Sequence, residues 1–132
     1  MSETIILSRK PFAPLVIRRG GLLIYRLPDE SGFASSAYEF PISQEHYRVL
    51  RDDEERYYFL ISALHHPFQL TKTRLPLAEV RRYFDLILLG DKVEVEAFLM
   101  ESDQRSNGAL SNLARNFLGR NIADIRAGRW FR

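Results

Sequence analysis

The hydrophobic period of this chain changes once, near Ser43, from the alternation of strands to the three-and-four spacing of helices. Upstream, "TIILS" is short and β-branched at its start, and "PLVIRRGGLLIYRLP" reads as two apolar strands around the turn Arg19-Gly20-Gly21. Glycine supplies the positive φ that such a tight turn requires. "DESGF" carries the Asp, Ser and Gly of a turn or loop, and "SAYEFPI" reads as a fourth strand ended by Pro41.

Downstream, Ser43 is an N-cap for a short helix, "QEHYRVLR", with Glu45 in its first turn. Asp52 and Glu55 have capping-box spacing, which predicts a second helix from about Asp53. On that helix Tyr57, Leu60, Ile61, Ala63 and Leu64 share a face roughly 160° wide, and Pro67 predicts its end. "LPLAEVRRYFDLILLG" predicts a third helix, with Leu77, Val80, Tyr83, Phe84 and Ile87 on one face, Arg81 four residues before Asp85, and Gly90 as cap. In "DKVEVEAFLMES", Val93, Val95, Ala97 and Leu99 alternate as in a strand, while Glu-Ala-Phe-Leu-Met favours helix; both stay open, and helix is the reading taken. "SDQRSNG" predicts a loop, "ALSNLARNFLG" a short amphipathic helix, and "RNIADIRAGRWFR" a basic tail with room for one more turn.

Strands first and helices after predict one α+β domain. An antiparallel sheet of about four strands would occupy residues 1–42, four or five helices packed on it residues 43–120, and the tail residues 121–132. A parallel nucleotide-binding sheet is disfavoured, since no Gly-rich phosphate loop follows a strand. At 132 residues a single hydrophobic core is expected. The chain lacks cysteine, which excludes disulfides and thiolate metal sites. The apolar run Ile5 to Leu7 is far shorter than the 7–15 residues or so of a secretory signal. No stretch approaches the roughly 20 apolar residues that span a bilayer. A soluble, cytoplasmic protein without a membrane partner is the expectation.

Charge is segregated beneath a net value of +2. Residues 1–28 hold five basic side chains against one acidic, residues 29–103 eight against fifteen, and residues 104–132 six against one. Either the blocks neutralise one another in the fold, or they sort partners by charge.

Four features invite a functional reading. His65 and His66 diverge by about 100° on a helix, whereas helical metal pairs are four residues apart. With His46 far off in sequence, neither a metal site nor a cofactor is expected. A position near a helix C-terminus accounts for the pair, with His66 facing outward beside Glu55, Ser62 and Phe59. The run Asp52, Asp53, Glu54 and Glu55 exceeds what capping needs, and suits attraction of a basic partner. Tyr58 and Phe59 fall off the apolar stripe: a helix apolar nearly all round is buried on two sides, or these rings are interface anchors. Arg115, Arg120, Arg126, Arg129 and Arg132, with Trp130 and Phe131, have the composition of a nucleic-acid-binding tail, though a solvated tail fits beside so acidic a middle.

The stretch "FPISQEHYRVLRDDEERYYFLISALHHPFQL" resembles the small bacterial immunity proteins of contact-dependent growth inhibition and related polymorphic toxin systems. The likeness lies in the plan: a sheet-first domain, an "FPIS" strand end leading into two helices, and acidic caps. It implies a cytoplasmic, non-enzymatic protein that binds a cognate toxin domain, often a basic nuclease, and blocks its active site. On that reading Asp29, Glu30, Asp52, Asp53, Glu54 and Glu55 steer the partner, Tyr58 or Phe59 anchors it, and His66 shares the surface. The alternatives are a nucleic-acid-associated protein using the arginine tail, and a small histidine-dependent phosphodiesterase built on His46 with His65 or His66. The oligomeric state is left open.

Overall fold

A computed structural model describes residues 3–10, 13–29, 32–69 and 76–132. Four strands, β1 (Glu3–Ser8), β2 (Leu15–Arg19), β3 (Leu22–Asp29) and β4 (Gly32–Ile42), form an antiparallel meander in chain order. Gly20, at φ 62°, makes the turn between β2 and β3 where the glycine pair predicts it. Part of "DESGF" lies outside the described residues. Strand β4 begins earlier than expected and runs through Pro41, which does not end it. It is an edge strand, so a residue with no N–H can sit in it without leaving a neighbour unpaired.

Helices follow: α1 (Gln44–Asp52), α2 (Glu54–Gln69), α3 (Leu77–Phe84), α4 (Lys92–Arg105), α5 (Ala109–Leu118) and α6 (Ile122–Arg126), with a π-helical turn, Asp85–Leu89, continuing α3. The domain is thus α+β, sheet first. Pro67 does not stop α2, which continues to Gln69. The missing proline N–H removes one intrahelical bond close to the helix end, and that loss is small beside the packing of the turns before it. The ambiguous segment 92–100 is helical, capped by the Asp91 carboxylate accepting from the Glu94 N–H at 2.9 Å. The expected loop "SDQRSNG" shrinks to a turn. Helix α4 reaches Arg105, and buried Asp103 accepts the Ser111 N–H at 2.7 Å, tying α4 to the start of α5.

Helix α2 is the centre of the molecule. Every residue from Tyr57 to Leu64 is buried, so its apolar stripe extends round the whole helix. Val16, Tyr25 and Leu27 of the sheet join its inner face in one core. Tyr57 donates its hydroxyl to the Pro14 carbonyl, linking α2 to the segment before β2. Tyr58 stacks on Phe117 of α5 at 5.0 Å. Phe59 meets Trp130 and Phe131 edge-on, at 5.8 and 5.1 Å.

That last contact overturns the solvated tail. Trp130 is fully buried, and the 120–132 segment lies across α2. Arg120 donates to the carbonyls of Trp130 and Arg129 at 2.6 and 2.8 Å, while the N–H groups of Phe131 and Arg132 reach Glu96 and Glu55. Arginine here is a backbone staple. Helix α6 supplies the one extra turn the sequence allowed.

On the opposite sheet face, Ile17 and Ile24 face each other across β2 and β3 and are almost wholly buried, although they lie outside the helical core. The same face carries paired charge. Arg19 and Arg26 each pair with both Glu3 and Glu39, from register positions on either side of the isoleucines. Hydrogen bonds from Arg19, then Arg26, hold the Glu3 and Glu39 carboxyls below their usual value. These groups therefore stay ionised in the fold at acidities where the unfolded chain takes up protons. The stability they add is complete above the ordinary carboxylate pKa of 4.5 and disappears as pH falls through the lowered folded value.

Two outcomes follow from this architecture. Trp130→Ala should lower unfolding free energy by about 3–5 kcal/mol in urea titrations, since it empties a filled core site; a loss within about 0.5 kcal/mol, typical of a surface position, would restore the solvated tail. Thermal melting followed from pH 6 to pH 3 should fall more steeply for the native sequence than for Glu39→Gln, which cannot titrate. Identical profiles would mean the ion lattice contributes nothing.

Candidate protein-binding surface

The acidic run sits at the junction of α1 and α2. Asp52, Asp53, Glu54 and Glu55 line one open groove of about 720 Å³ with Arg48, Val49, Arg56, Leu88 and Leu89. Its lining thus joins four carboxylates and two guanidinium groups to three apolar side chains. The four acidic residues line this one groove, but their roles in the fold differ.

Asp53, not Asp52, caps α2: its Oδ1 accepts the Arg56 N–H at 3.1 Å. The expected Asp52–Glu55 capping box is absent because α1 runs through Asp52 and the helix break falls one residue later. Asp52 instead takes a two-point contact from its neighbour Arg51, at 2.8 and 3.0 Å, which holds its carboxyl below the usual range. Glu55 is turned inward, accepting from the Arg132 N–H at 2.8 Å and from Arg120 at 3.4 Å. Only Glu54 is exposed with no hydrogen bond or ion pair among the described residues.

Arg56 explains how the groove keeps its shape. Its guanidinium lies 3.3 Å from Asp53 and donates to the carbonyls of Ile87 and Gly90 at 3.0 and 2.7 Å. Those carbonyls end the π-helical turn, where the wider winding leaves acceptors without intrahelical donors. One buried arginine thus fixes the start of α2 against the end of the π turn. Leu89, 44% exposed, is left at the groove's edge.

Two proposed anchors are not at this surface. Tyr58 and Phe59 are buried under α5 and the 120–132 segment, so neither ring can enter a partner. The two-sided burial open to such a helix is the arrangement found. Asp29 is placed at the end of β3 by its backbone alone, Glu30 lies outside the described residues, and His66 is in α2 with its side chain outside the description.

His46, which the sequence offered only as a partner for His65 or His66, has a structural role at α1. It completes a capping box at α1, with the His46 N–H bonded to Ser43 Oγ and the Ser43 N–H donating to His46 Nδ1, both at 3.1 Å. Nδ1 is therefore an acceptor, and Nε2–H donates to Asp85 at 2.8 Å. The expected Arg81–Asp85 pair is replaced by this contact, although the Asp85 N–H keeps its helical bond to the Arg81 carbonyl. The signal was Ser43 followed three residues on by a side chain with an acceptor nitrogen. Both ring nitrogens are thus hydrogen-bonded within the fold.

Among the described residues no group of three His, Asp or Glu side chains is placed to hold a metal ion, and no helix is long and apolar enough to cross a membrane. Comparison with known protein families, with characterised proteins and with solved structures finds no match to this chain.

The division of roles can be measured by stability alone. Asp53→Ala should cost about 1 kcal/mol as a lost helix cap, and Glu55→Ala about 1–3 kcal/mol as a lost acceptor for two donors. Glu54→Ala should stay within about 0.5 kcal/mol. Equal effects at all three positions would contradict the assignment.

Proposed function

We infer that this chain is an immunity-type binding protein that neutralises a cognate toxin domain by covering it, without catalysis of its own. The observation that carries this is the α1–α2 groove, where exposed Asp52 and Glu54 share a lining with apolar Val49, Leu88 and exposed Leu89. Carboxylates beside apolar side chains suit a cationic protein surface: the charges speed and orient encounter while the apolar contacts hold the complex. A basic nuclease domain is the partner class with that charge, and the plan-level resemblance points the same way. A cytoplasmic site of action belongs to this reading.

The competing readings draw less support. Trp130, whose ring a nucleic-acid tail would stack on bases, is buried beside Phe59. Both ring nitrogens of His46, the imidazole a phosphodiesterase would use, are hydrogen-bonded within the fold.

The test is co-expression with the product of the adjacent reading frame, followed by binding of the purified pair. Growth should be rescued, and association should slow as salt is raised. Asp52→Lys combined with Glu54→Lys, both exposed and outside the core, should weaken binding at least ten-fold and abolish rescue. Absence of any complex, or full affinity in the double variant, would overturn the assignment.

A further inference from the structure

A second depression, sharing no lining residue with the acidic groove, opens where β4 meets α1 and α3. It holds about 370 Å³, within the size range of small-ligand pockets. Phe40, Ile42, Val80 and Phe84 give it apolar walls, with Phe84 braced by Phe40 at 6.0 Å and by His46 at 5.8 Å. Val80 and Phe84 are rooted in the core, so the walls are fixed from behind.

Four polar side chains line this pocket: Ser43, His46, Asp85 and Arg81. They are not equivalent. His46 accepts from Ser43 through Nδ1, and its Nε2–H goes to Asp85. Asp85 thereby has a donor already, and the rest of its carboxylate is open to water. Arg81 is exposed and has neither hydrogen bond nor ion pair among the described residues, although the helical spacing to Asp85 would ordinarily give it one. The Asp85 carboxylate goes to His46, and Arg81 lines the pocket without an ion pair among the described residues. An unpaired guanidinium beside an apolar well recognises an anion, and its forked donors match a carboxylate best.

We propose that this pocket binds a small monocarboxylic acid with an aromatic or branched apolar body, the body seated between Phe40, Val80 and Phe84 and the carboxylate paired with Arg81. The site is independent of toxin binding, and either assignment can fail alone.

The probe is 3-phenylpropionate, titrated into the full chain by calorimetry and by amide chemical shifts, beside 3-phenylpropanamide and 2-phenylethylamine. The acid should bind saturably, shift resonances within residues 40–46 and 77–85, and exceed the isosteric amide by about ten-fold, the worth of a charge-assisted hydrogen bond. Arg81→Gln, at an exposed position, should erase the preference for acid over amide while leaving the amide's own affinity unchanged. Equal binding of acid and amide, preference for the amine, shifts outside the pocket, or no saturable binding would each overturn the proposal.

Discussion

A helix can be buried around its whole girth only if the rest of the chain supplies a wall on every side, and α2 imposes that demand here. Its residues 57–64 present tyrosine, phenylalanine, leucine and isoleucine in all directions. The sheet covers one side, α5 another, and the segment around Trp130 closes the third. Each large apolar side chain so buried contributes about 1.5–3 kcal/mol, so the wall elements are held by the helix they enclose. Glu55 and Arg120 add direction: one carboxylate and one guanidinium bind the closing segment through its own backbone groups.

The outer face of the sheet meets the same problem by other means. Ile17 and Ile24 are buried there outside the helical core cluster, on the face that also carries the paired Arg19, Arg26, Glu3 and Glu39. Long arginine side chains can roof apolar surface with their methylenes while their heads remain in water. The register places Glu3 opposite Arg19 and Glu39 opposite Arg26, so strand pairing itself brings the opposite charges together. The acidic and basic blocks of the sequence are thus partly spent inside the fold, at the sheet and again at Glu55.

Local periodicity carried the sheet-first order, the Gly20 turn and the Ser43 cap, because each depends on residues a few positions apart. The corrections fall where distant segments meet. Tyr58 and Phe59 looked outward, and the tail looked solvated, for one shared reason: each is the other's cover, and neither reveals its partner over some seventy residues of separation. The one-residue shift of the α2 cap is a subtler case. Asp52 and Asp53 are chemically equal candidates, and which becomes the cap depends on how far α1 extends before Arg9 closes its last carbonyls at Leu50 and Arg51.

The candidate sites were legible in proportion to how much of their geometry is local. Four successive carboxylates announce an acidic surface, but the role of each depends on remote groups: Arg120 for Glu55, and Arg56 with the Ile87 and Gly90 carbonyls for Asp53. The His46 pocket had almost no signal in sequence. It depends on Asp85 meeting an imidazole thirty-nine residues earlier instead of Arg81, four residues before it. One irregular turn contributes to both depressions. Its first residue sets the charge at the β4 pocket, and its last, Leu89, edges the acidic groove. Irregular winding of this kind is frequent at functional sites, and here residues 85–89 border both candidate surfaces.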